Sequence, residues 1–134
     1  MIKINTEENR IEGLSKQHIF DILVHARSVY IYEFNKKDKR GDIVIFEFLY
    51  PFHRAFKHVT GFDLPSTKHV DGFFYLKNTM PYFRRVCKEN GADFNKVDGE
   101  YWDTFDTKVR IKVFDELIEC AKSDLNEESQ NLSK

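Results

Sequence analysis

Two histidines, an arginine and a lysine crowd one short stretch of the chain: His53, Arg54, Lys57 and His58. Such a set can hold an anion and move a proton. Histidine's ordinary pKa of about 6.5 leaves both its forms populated near neutrality, which suits general acid or base catalysis. A lysine or arginine beside it can steady the charge that builds on phosphorus during phosphoryl transfer. His58 is the candidate acid or base, with Lys57 or Arg54 as transition-state stabilisers. A plainer role is open to the same ring, because a histidine one turn before Gly61 can bond the last carbonyls of a helix. A metal-ligand role lacks a second histidine at i+4.

Two-metal nuclease chemistry is disfavoured, because Asp63 and Asp71 are the carboxylates of residues 53–85. The chain also lacks GxGxxG, the P-loop pattern, GxSxG, HExxH and an EF-hand loop. Cleavage of RNA would therefore use the substrate's own 2′-hydroxyl and leave 2′,3′-cyclic phosphate ends. No cofactor is expected.

Periodicity supplies the elements that position these residues. Residues 43–50 (IVIFEFLY) form a β-branched and aromatic run that reads as a central strand. Pro51 ends it and opens a helix in which Phe52, Ala55, Phe56 and Val59 recur at i, i+3, i+4 and i+7, with Gly61 as its left-handed stop. The cations fall on the opposite arc, where like charges four apart cost a few tenths of a kcal/mol and an anionic partner would relieve them.

Upstream, residues 1–13 read as a loose lead-in, and Ser15 caps a helix with apolar positions Ile19, Ile22, Leu23 and Ala26. His18 and His25 on that helix read as surface or boundary histidines. Residues 29–34 (VYIYEF) alternate as a strand and pair with 43–50 across a charged turn carrying Lys36, Lys37, Lys39 and Arg40. Downstream, a loop holds Ser66, Thr67, Lys68 and His69, and residues 72–77 (GFFYLK) read as a third strand. Thr79 is expected to cap a helix bearing Arg84 and Arg85, and a long amphipathic helix follows at 101–125. Residues 126–134 are a polar, frayed tail. The expected fold is α+β, one domain with a small antiparallel sheet packed by helices.

Charge is uneven although the net value is −1. Residues 53–85 carry six basic and two acidic side chains, against seven and twelve in 86–134. Basic residues interleaved with aromatics suit single-stranded nucleic acid, so RNA or another polyanion is the expected partner, with His53, Lys68, His69, Arg84 and Arg85 as candidate contacts. The bland reading is that aromatics build the core and lysines solvate it. Cys87 and Cys120 stand in no metal or redox spacing, which fits a reduced, cytoplasmic chain, and no apolar run is long enough to span a membrane. The oligomeric state is open.

The run FKHVTGF at 56–62, after an apolar strand and before FFYLK, resembles the [FH]xHLxGL signature of phage-borne nuclease-like domains grouped with barnase, EndoU, colicin and RelE-type folds, the PBECR4 family. VRIKVFDEL at 109–117 is similar to that family's RIxxFxxL helix. Phe56, His58, Gly61, Phe62, Arg110 and Ile111 match the pattern, within a likeness covering roughly residues 15–120. The resemblance implies a small antiparallel sheet with helices on one side and a metal-independent ribonuclease activity. The family's helix is followed by further strands, whereas this chain ends in an acidic tail. A second function therefore stands beside the first: an inhibitor of phage type, like an anti-CRISPR protein, that binds a host defence nuclease without catalysis. A plain interaction module presenting exposed aromatics is the third.

Overall fold

A computed structural model describes residues 1–35, 48–65, 72–96 and 98–132. Two strands come first, β1 (Lys3–Asn5) and β2 (Arg10–Glu12), then α1 (Lys16–Asn35), α2 (Tyr50–Thr60), α3 (Phe73–Thr79) and α4 (Phe83–Glu89). A 3-10 turn (Phe94–Lys96), α5 (Gly99–Asp103) and α6 (Thr107–Leu132) complete the order. The architecture is α+β: a mostly helical domain with a two-stranded antiparallel hairpin against its helices.

The sheet does not lie where strand-like composition suggested. Residues 29–34 continue α1, and residues 73–77 belong to α3. Residues 43–47 and the charged turn at 36–42 lie outside the described residues, and Phe48 and Leu49 lead into α2 without pairing as a strand. Burial gives the reason. Adjacent Val29 and Tyr30 are both buried, which an alternating strand facing one core does not do, and they extend the helical stripe of Ile22, Leu23 and Ala26. In α3 the buried residues Phe73, Leu76 and Lys77 stand at i, i+3 and i+4. The β preference of valine, tyrosine and phenylalanine is a weak bias that such packing overrides.

The hairpin occupies the stretch expected as a loose lead-in, pairing Lys3 with Glu12, Ile4 with Ile11 and Asn5 with Arg10. Asn5 turns the chain by accepting from the N–H groups of Glu7 and Glu8 at 3.1 and 3.0 Å. Just after β2, Gly13 takes φ +84°, where a Cβ would sit 2.2 Å from the Met1 carbonyl oxygen. Thr79 ends α3 rather than capping the next helix. Its hydroxyl donates to Tyr75 O at 2.9 Å and accepts from the N–H of Ile11 at 2.8 Å, which docks the hairpin on α3.

The caps of the first two helices follow the sequence. Ser15 Oγ accepts from His18 N–H at 3.0 Å while His18 Nδ1 accepts from Ser15 N–H at 3.2 Å, a reciprocal cap with histidine in the usual glutamate place. Pro51 opens α2, and Gly61, at φ +80°, closes it by donating to Lys57 O at 2.8 Å. The helix expected at 101–125 is two helices. Asp98 caps α5 through Tyr101 N–H, and Asp106 accepts from Lys108 N–H at 2.7 Å to start α6, which continues to Leu132 through much of the expected tail.

The core is aromatic, as the composition implied. Phe48 stacks on Trp102 at 4.3 Å, and Phe52 meets Phe73 at 4.4 Å and Phe114 at 5.0 Å. Arg110, buried in α6, donates to Tyr30 Oη at 3.3 Å and to Asp103 O at 3.0 Å, tying α6 to α1 and to the end of α5.

Lys77 is also buried, with Nζ donating to Phe94 O at 2.8 Å and lying 4.3 Å from the centre of the Phe94 ring. Burial lowers its pKa and pushes the neighbouring Cys87 thiol up to about 12. A lowered lysine pKa means that the unfolded chain takes the proton first, so Lys77 adds stability as pH rises toward its ordinary 10.5. Thermal unfolding of the wild type and Lys77→Met across the alkaline range should show a difference that shifts in favour of the wild type as pH rises. A difference independent of pH would mean that Lys77 titrates normally in the fold.

Candidate functional site

Of the residues singled out in the sequence, His53, Arg54, Lys57 and His58 lie on α2. With Pro51, Phe52, Ala55 and Phe56 buried, the arc bearing Arg54, Lys57 and His58 must face solvent, and His53 is half-buried at its margin. His58 lies flat against His25 of α1, ring centres 4.2 Å apart and planes 7° from parallel. The two rings stand in an open cleft of about 430 Å³, lined also by Asp21, Val24 and Ser28 of α1 and Val59 of α2.

The cations of α2 are not bare. Arg54 Nη1 lies 3.9 Å from Glu33 Oε1, and Lys57 Nζ lies 3.2 Å from Asp63 Oδ1. The anionic partners expected for this face are thus in part the chain's own carboxylates. Exposed pairs of this kind are worth only about 0–1 kcal/mol, so a phosphate can displace them.

The other candidates lie elsewhere. Lys68 and His69, with Ser66 and Thr67, fall outside the described residues. Arg84 and Arg85 project from α4, where the Arg84 guanidinium sits 4.1 Å above the Phe94 ring and Arg85 Nη2 donates to Cys120 Sγ at 3.0 Å. Neither lines the histidine cleft.

His25 is the residue that sequence reasoning left as a boundary histidine. Its neighbours Asp21 and Ser28, at i−4 and i+3, share its helical face. That spacing was visible, but the partner across the seam was not.

Burial, then the charge of His58, then that of Arg54 lower the pKa of His25. Two imidazolium rings face to face repel by about 1 kcal/mol in water and about 4 kcal/mol at a partly shielded surface. The neutral form of His25 is therefore favoured, which suits that ring to accept a proton. Among the described residues, no group of three or more His, Cys, Asp or Glu side chains is placed to hold a metal ion. No helix of the described residues is long and apolar enough to cross a membrane.

Comparison of the chain with protein-family models, with curated proteins and with solved structures finds no match.

NMR titration of His25 should give a pKa below 6.5. In His58→Asn the value should rise but stay below 6.5, because burial is the larger cause. The sign for stability follows: the unfolded chain takes this proton first, so His25 costs stability as pH falls through 6.5. A titration unmoved by His58→Asn would show that the rings do not sense each other.

Proposed function

We propose that this chain is a nuclease-like domain that binds RNA and cleaves it by metal-independent acid–base chemistry at His25 and His58. The stacked histidine pair in an open cleft carries the reading. His25, kept neutral, takes the proton from the 2′-hydroxyl. His58, the exposed partner, gives one to the departing 5′-oxygen, and the 2′-oxygen closes on phosphorus to form a 2′,3′-cyclic phosphate. Rings 4.2 Å apart leave no room for a phosphate between them, so substrate enters along their edges or parts the stack. Arg54, whose charge reaches His25, is the nearer candidate to steady the phosphorane, with Lys57 one position before His58.

Two further points support the reading. His58 is the histidine of the FKHVTGF run that resembles the phage-borne nuclease-like domains, and residues 53–85 carry the chain's basic surplus. A reduced, cytoplasmic setting goes with the proposal, Cys87 and Cys120 being free thiols.

Purified protein incubated with mixed single-stranded RNAs should yield 2′,3′-cyclic ends equally well in EDTA. His25→Ala and His58→Ala should each reduce the rate by about 10²- to 10⁴-fold. Full activity in either variant would discard that residue. A wild type inert on every RNA that instead forms a stoichiometric complex with a host nuclease would replace catalysis with inhibition.

A further inference from the structure

The histidine cleft is not symmetric in charge. α1 and α2 run antiparallel past it, since His25 meets His58 while Glu33, two turns later in α1, meets Arg54, one turn earlier in α2. Arg54 therefore stands on the side of the histidines where α1 ends and α2 begins. Asp21, which lines the cleft one turn before His25, stands on the opposite side. The helical rise puts each about 6 Å along its axis from the neighbouring histidine. The histidine pair thus lies between a guanidinium and a carboxylate. Among the described residues Asp21 takes one hydrogen bond, from Gln17 Nε2 to its Oδ1 at 2.9 Å, and joins no ion pair. The charges that act on His25 are those of His58 and Arg54, so the Asp21 carboxylate does not serve that ring. Lys57 is engaged by Asp63 instead.

We propose that Asp21 determines which base this cleft takes, accepting a hydrogen bond from the exocyclic amino group of the RNA base that enters and so favouring cytosine over uracil. The proposal rests on the reading of that cleft as a ribonuclease site and adds its substrate preference. Phosphate is repelled from the Asp21 end and drawn to Arg54, which orients a nucleotide with its phosphate beside His58 and its base toward Asp21. Val24 and Val59 give the base an apolar wall, and a cleft of about 430 Å³ falls within the range of small-ligand sites, about 300–1,000 Å³. Cytosine and uracil have nearly the same shape, so that wall cannot tell them apart. The carboxylate can, because it accepts hydrogen bonds and donates none. Where cytosine carries its N4 amino group uracil carries the O4 carbonyl, so one position offers Asp21 a donor in the first base and a repelling acceptor in the second. Adenine and guanine also carry amino groups, which leaves uracil as the disfavoured base.

Fluorescence anisotropy with labelled 2′-O-methyl oligocytidylate and oligouridylate of equal length reads binding alone, because these strands have no free hydroxyl to attack. The wild type should hold the cytidine strand about 5- to 100-fold more tightly. Asp21→Asn offers a donor as well as an acceptor, so it should bind the two strands with like affinity. Removal of a merely repulsive charge would instead strengthen both strands alike and leave their ratio unchanged. Asp21 is exposed and asparagine keeps an oxygen for Gln17, so the variant keeps the fold, which circular dichroism checks. A wild type without the cytidine preference, or an Asp21→Asn variant that retains it, overturns the role of Asp21. Cleavage of unmodified strands separates the two readings. A cleaving wild type without the preference overturns the role of Asp21 alone, and an Asp21-dependent preference without cleavage overturns the ribonuclease alone. A wild type that binds neither strand overturns both.

Discussion

Burial of one face of α2 is the constraint on which the rest depends. An eleven-residue helix gains too little from its own hydrogen bonds to persist in water, so its packing decides both its existence and its roll about its axis. Phe52, Ala55 and Phe56 are fully buried, with the Phe52 ring set between Phe73 of α3 and Phe114 of α6. Once that face is inward, the polar arc has nowhere to point but outward. The same argument applies to α1, whose stripe from Ile22 to Tyr30 is pressed into the core. Two amphipathic helices rolled by their own cores bring their polar margins together, and the histidine stack forms at that meeting line.

This origin explains the electrostatic character of the seam. The core dictates the roll but leaves the margin's residues unspecified by packing, so charges of both signs can be gathered there at little cost in stability. Glu33 and Asp63 offset the cations of α2 in exposed pairs that hold weakly and exchange readily. The surface is thus self-compensated without being locked.

Legibility from sequence followed the range of the forces involved. α2 could be read to its ends because Pro51, the helical period and Gly61 all report the same local event. Ser15 marked the start of α1 for the same reason, although its partner His18 was assigned no structural task. The second half of α1 and all of α3 were misread because valine, tyrosine and phenylalanine favour strands by a margin smaller than the gain from burying Tyr30, Phe73 and Leu76. The hairpin was missed because three-residue strands leave no pattern, and because the groups that hold it, Thr79 and Asn78, lie 68 and 69 residues further on. In the site, His58, Arg54 and Lys57 were legible as a local cluster. His25 was not, since a histidine on one helix acquires meaning only when another helix docks beside it.

That docking of the hairpin on Thr79 bears on how the chain is made. Residues 3–12 leave the ribosome well ahead of their partner, for the hydroxyl that accepts from Ile11 N–H is synthesised 68 residues later. At 5–20 residues per second this is a delay of about 3–14 s, far longer than a hairpin needs to form and dissolve. During that interval the two strands have no neighbour to cover them, and an isolated two-stranded ribbon is marginal in water. The hairpin is therefore fixed well after it is made, and the nascent chain presents unpaired strand edges to chaperones until α3 emerges.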